Sequence, residues 1–154
     1  MMTNRNGVLA ALTQEQRERL MELAREVVFP AGTRIFEEGR TADRFWLIKS
    51  GSVTVDVHVP GRRSPTVETL GTGDLLGWSW LIPPRRWNFG AEALSPVRAY
   101  QFEAAEVLAL LEQDPVLGRA MSTAVAGVVA HRLTAARTRL LDLYAPYGSG
   151  AAAS

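Results

Sequence analysis

Ile35-Phe36-Glu37-Glu38-Gly39-Arg40-Thr41-Ala42-Asp43-Arg44-Phe45-Trp46-Leu47-Ile48-Lys49-Ser50-Gly51 decides the fold. An apolar pair, Ile35-Phe36, is followed by Gly39, then by the small Ala42, then by the apolar run Phe45–Ile48, and closes on Gly51. That run is too short for a helix, and it is bounded on both sides by turn residues, so it reads as a buried strand. Glycine is favoured at such turns because a residue at positive φ is least strained without a Cβ. Gly39 and Gly51 are therefore structural.

Outward from this stretch the same grammar repeats. Strands are predicted at Val27–Phe29, Thr33–Phe36, Phe45–Lys49, Ser52–Val59, Thr66–Leu70, Asn88–Ala93 and Val97–Phe102. Val53–Val59 alternates apolar and polar residues, as a strand with one wet face should. Pro60–Pro65 is the loop that follows, with Arg62 and Arg63 at a solvated tip, and His58 falls on the polar side of the strand. Short strands this closely spaced point to a roll or barrel rather than an open parallel sheet.

The flanks are helical. Thr13 and Gln16 form a capping-box pair at the entry of a helix carrying Leu20, Leu23 and Ala24 and ending near Arg25. After Phe102 the period changes from two to about 3.6. Glu103–Glu112 reads as a short helix, with Val107, Leu108 and Leu111 buried. Asp114-Pro115 then opens a longer one, Asp as N-cap and Pro at the first helical position, running to about Tyr144. Along it Val129, Leu133, Ala136, Leu140 and Leu143 recur in steps of four, three, four and three, a heptad-like stripe. The expected class is mainly β with flanking helices (α+β): a double-stranded, jelly-roll-like β-roll over about 27–102, with helices over 103–144. Residues 1–12 are expected to be a flexible lead-in, 13–144 one domain, and 145–154 a disordered tail.

Composition narrows the function classes. With 154 residues the chain suits one domain, and it contains no cysteine, which removes disulfides, zinc–thiolate sites and a Cys nucleophile together. The net charge of +1 exerts no global pull on nucleic acid or membrane. No apolar run approaches the roughly 20 residues of a membrane span, and the N-terminus lacks the pattern of an export signal, so a cytoplasmic setting is expected. Ser79 has no Gly-x-Ser-x-Gly context and no His–acid pair, and Gly71–Asp74 is too short for a phosphate loop. His58 and His131 read as surface residues, His131 at most in a helix seam. No catalytic or metal-binding constellation is expected.

In its order of helix, many-stranded roll, short helix and long helix, and in the Ile35–Gly51 pattern, the chain resembles the sensor domain of the catabolite-activator, FNR-like and cyclic-nucleotide-gated family. The resemblance implies a phosphate-binding cassette. In the family a Gly-Glu-x-small-Leu turn is followed by an Arg; the Glu accepts a hydrogen bond from the ribose, and the Arg holds the cyclic phosphate. The matching run here is Leu76-Gly77-Trp78-Ser79-Trp80-Leu81-Ile82-Pro83-Pro84-Arg85-Arg86-Trp87-Asn88-Phe89. Gly77 and Leu81 fit. Trp78 stands at the Glu position, Trp80 at the small residue and Trp87 at the Arg position, with Arg86 one place early. An indole offers only a donor, so Trp78 cannot replace the carboxylate.

Two readings follow. In one, Gly77, Trp78, Ser79, Trp80, Arg85, Arg86, Trp87 and Asn88 line a remodelled pocket for a nucleotide-like or other small-molecule effector, without a fixed cofactor. Binding there would shift the long helix of a non-enzymatic regulatory sensor. In the other, the indoles fill the pocket and the domain is an adaptor acting by protein–protein contact. Ten residues follow Tyr144, too few for a helix-turn-helix, so the resemblance is to a stand-alone bacterial subgroup with no direct nucleic-acid contact. The expected partners are a second copy of the chain, through the Val129–Leu143 stripe, and a protein of unknown identity.

Overall fold

A computed structural model describes residues 7–61 and 63–144. Helix α1 (Gln14–Met21) precedes strands β1 (Arg25–Phe29), β2 (Arg34–Phe36), β3 (Arg44–Ser50), β4 (Val53–Asp56), β5 (Thr66–Leu70), β6 (Leu75–Leu76), β7 (Gly90–Ala93) and β8 (Val97–Glu103). Helices α2 (Ala104–Gln113) and α3 (Pro115–Tyr144) follow. The strands form two four-stranded sheets, ordered β1-β8-β3-β6 and β2-β7-β4-β5, and every pairing is antiparallel. This is the expected β-roll with a long C-terminal helix. One continuous core joins inward residues of both sheets, among them Phe45, Val53, Val55, Ala91 and Phe102, to Val107 of α2 and Leu117 of α3.

The local signals act as their chemistry requires. Thr13 Oγ1 accepts the Gln16 N–H at 3.2 Å while Gln16 Oε1 accepts the Thr13 N–H at 2.9 Å, so two orphan donors of α1 are satisfied. Asp114 Oδ1 accepts the Leu117 N–H at 3.1 Å to cap α3, and the same carboxylate pairs with Arg19 of α1. Gly51 takes φ 93°, and a Cβ there would stand 2.2 Å from the Pro96 carbonyl oxygen, so both conformation and space demand glycine.

Several expectations are corrected. The strand expected over 52–59 ends at Asp56, where the register with β5 shifts. Asp56 is buried and accepts from Arg34 Nη1 and Nη2, at 2.5 and 2.8 Å, a bidentate pair that holds Arg34 above its usual pKa range. His58 consequently lies beyond the strand, exposed, its backbone N–H donating to Glu38. β7 starts at Gly90 rather than Asn88, and α1 stops at Met21 so that β1 can begin at Arg25. β6, paired with Trp46 and Leu47, was not foreseen, since two residues carry no period. Within the stretch expected to be flexible, a 3-10 turn spans Leu9–Ala11 and both Val8 and Leu12 are buried in the core. Arg62 and the tail over 145–154 lie outside the described residues.

The stripe on α3 is also redrawn. The face packed on the roll is Leu117, Met121, Val125, Val128, Arg132 and Ala136, all buried. Of the predicted set, Ala136 belongs to this inner face. Val129, Leu140 and Leu143 are partly buried, and Leu133 is 65% exposed. A 3.6-residue helix packed on a roll buries a face wider than an a/d seam, and Ala136 sits where the two overlap.

Candidate functional site

The cassette leaves β6 through Gly77, at φ 91°, passes through a 3-10 turn over Ser79–Leu81, and returns to β7 through Arg85, at φ 58°. Trp80 is wholly buried; its ring stacks on Phe45 at 4.4 Å, and its Nε1–H donates to the Gly77 carbonyl at 3.2 Å. It is core. Trp87 is 5% exposed and stacks on Phe36 at 4.0 Å. Its six-membered ring lies directly over Gly77, where a Cβ would come within 2.8 Å of it. Backbone bonds fix this placement: the Trp87 N–H donates to Arg40 O at 2.9 Å, and the Gly39 N–H donates to Trp87 O at 2.8 Å. Trp78, partly buried, meets Phe89 edge-on at 6.3 Å. The buried Ser79 hydroxyl accepts from the Asn88 backbone N–H at 3.3 Å and from its side-chain amide at 3.2 Å.

The space left between Gly77, Trp78, Ser79, Trp87, Phe89 and Arg132 is about 10 Å³. That is room for about one water, whereas ligand pockets hold roughly 300–1,000 Å³. Arg85 and Arg86 do not line it. Both are exposed, and Arg86 Nη1 instead donates to the Gly39 carbonyl at 3.0 Å on the outer side of the loop. Of the expected ligand residues, Gly77, Trp78, Ser79 and Trp87 are thus brought together, with Asn88 behind Ser79, while Trp80, Arg85 and Arg86 are not.

The residue missed is Arg132. It is 2% exposed, and its Nε donates to Glu68 Oε1 at 2.9 Å while Nη2 donates to the Leu75 carbonyl at 3.3 Å. His131 Nε2 lies 3.1 Å from the other Glu68 oxygen. Burial pushes the Arg132 guanidinium below its usual range, and the Glu68 charge acts against that shift. Two adjacent α3 residues therefore grip one carboxylate on β5. The available signal was a charged residue at helical spacing within the apolar face Val125, Val128, Ala136; the heptad reading looked past it. Among the described residues no group of His, Asp and Glu side chains is placed to hold a metal, and no helix is long and apolar enough to cross a membrane.

Residues 26–114, more than half of the chain, match the family model of the cyclic nucleotide-binding domain. The chain is 25% identical over 139 residues to the CRP-like cAMP-activated global transcriptional regulator of Mycobacterium tuberculosis, covering 90% of itself and 60% of that protein. It therefore spans less than two thirds of that relative's length. A crystal structure from Geobacter metallireducens, described as a cyclic nucleotide-binding protein, is 31% identical with a TM-score of 0.71, covering 82% of this chain and 91% of that one. The N-terminal domain of a transcriptional regulator from Streptomyces coelicolor is 27% identical with a TM-score of 0.66, covering 85% and 89%.

Proposed function

The chain belongs to the cyclic nucleotide-binding domain family, and from that premise we propose a non-enzymatic regulatory domain whose cassette is held shut by its own Trp87 and which acts through protein contacts. The observation that carries this reading is the space of about 10 Å³ left beneath the indole. A cyclic nucleotide would have to displace Trp87 from Phe36 and from its seat over Gly77, and would then meet Trp78 where the ribose needs an acceptor. Neither Arg85 nor Arg86 faces the cavity to compensate.

Contacts are then the output. α3 keeps exposed apolar residues on its outer side, Leu133 at 65% and Leu141 at 57%, and a second copy packed along that side would remove them from water. In this reading the Glu68 clasp by His131 and Arg132 sets the position of α3 on the roll.

One observation favours a second reading, an effector pocket that opens when Trp87 swings out. The buried Arg132 guanidinium stands in the cavity wall, and an anionic group that displaced Glu68 would meet a planar cation there. Intrinsic tryptophan fluorescence, titrated with cyclic nucleotides and a panel of anionic metabolites, separates the two. The closed reading predicts a flat response. A saturable change in the wild-type chain would establish the effector pocket instead.

A further inference from the structure

Trp87 and Phe36 form a partition. On one side lies the closed cassette cavity; on the other, an open groove of about 370 Å³ where apolar Phe29, Ile35, Phe36, Trp46 and Trp87 meet charged Arg34, Glu37, Arg40, Asp43 and Arg44. Phe29, Ile35 and Phe36 are only partly buried, so the groove offers apolar side-chain surface. Phe29 ends β1 and Ile35–Phe36 belong to β2, and these are edge strands of the two sheets. Main-chain groups of an extended segment could therefore pair along the same groove.

The rim is basic by construction. The Thr41–Arg86 bridge joins the loop before β3 to the end of the cassette, antiparallel, with the Ala42 N–H donating to Arg85 O at 2.8 Å. This pairing gathers Arg40, Arg44, Arg85 and Arg86. Arg40, Arg85 and Arg86 are exposed and make no ion pair among the described residues, and Arg44 makes only a 3.3 Å contact with Asp43. Arg85 is held at φ 58°, a conformation few side chains other than glycine adopt, and its N–H donates to Ile82 O at 2.9 Å. Four arginines against Glu37 and Asp43 leave a local excess of two positive charges, beyond the +1 of the whole chain.

We propose that this groove and its arginine rim form a docking surface for an extended acidic segment of a protein partner, one bearing an apolar anchor side chain. The proposal rests on the reading that the domain acts through protein contacts. The anchor packs against Phe29, Ile35 and Phe36 while flanking carboxylates meet Arg40, Arg85 and Arg86. An acidic peptide fits better than nucleic acid. The apolar side chains Phe29, Ile35 and Phe36 can seat an anchor residue of a peptide but offer nothing to a phosphodiester.

The test is fluorescence anisotropy of the full chain with a fluorescein-labelled peptide of alternating glutamate and phenylalanine. Saturable binding is expected, weakened about tenfold or more by Arg40→Glu with Arg85→Glu. Neither side chain makes a hydrogen bond among the described residues, and an unchanged thermal melt verifies that the fold is intact. A glutamate–serine peptide should bind more weakly for want of the anchor. No saturable binding, equal binding by the double variant, or tighter binding of a single-stranded oligonucleotide of equal charge overturns the proposal. Failure of the closed-cassette reading shows separately, as cyclic AMP binding to the same protein.

Discussion

At position 132 a guanidinium on α3 sits almost wholly out of water, with Glu68 and the Leu75 carbonyl as acceptors. Such a group is satisfied only while its partner stays. Arg132→Met should destabilise the fold by about 3–5 kcal/mol, because it removes the guanidinium from a largely buried ion pair and leaves the Glu68 carboxylate without it. Combining Arg132→Met with Glu68→Leu should recover much of that loss, which chemical denaturation of the three variants can measure. Gly77 poses the opposite problem, since it must stay small. Gly77→Ala meets both the positive φ and the Trp87 ring, and should cost about 1–3 kcal/mol. Trp87→Ala alone should cost about 3–5 kcal/mol. In the Trp87→Ala background the added Cβ has room, so the Gly77→Ala penalty should shrink to its backbone part, visible as a double-mutant coupling in urea melts. The cassette tryptophans were legible as departures from a pattern; where each ring points was not. Trp80 and Trp87 look alike in the chain, yet one stacks within the core on Phe45 and the other plugs the cavity over Gly77.

Elements with local signals were read correctly in type. The Thr13 capping box and the Asp114-Pro115 start are chemistry carried by a few neighbouring residues, and both appear where those residues stand. β6 and the end of β4 were not legible because they depend on partners far along the chain: β6 exists through Trp46 and Leu47, and β4 stops where Asp56 is drawn to Arg34. The two faces of α3 were superimposed in sequence, since Ala136 suits either. Their separation makes a prediction. Leu133→Glu lies on the exposed face and should convert the proposed dimer to a monomer with little change in melting temperature, as read by light scattering coupled to gel filtration. Val128→Glu lies on the inner face, and should destabilise the roll itself by burying an unpaired charge. Equal melting losses from both would remove the distinction between the faces.

For the molecule as a whole, the roll is kept while the space beneath the cassette is about 10 Å³. Ile35–Gly51 and the two final helices specify an architecture through turns, alternation and caps, and those features are independent of what the cassette contains. Where the family resemblance implies a ribose acceptor and a phosphate-binding cation, the cassette carries Trp78 and Trp87, and the Trp87 ring lies over Gly77. Arg85 and Arg86 are exposed, and the Thr41–Arg86 bridge holds them near Arg40. A domain built this way keeps the framework that holds α3 on the sheets, through Glu68, without leaving ligand-sized space beneath it. Titration calorimetry of the wild-type chain with cyclic AMP tests this claim most directly. The account predicts no heat beyond dilution up to about 1 mM nucleotide, whereas a one-site isotherm with a Kd of about 1 μM or below would contradict it.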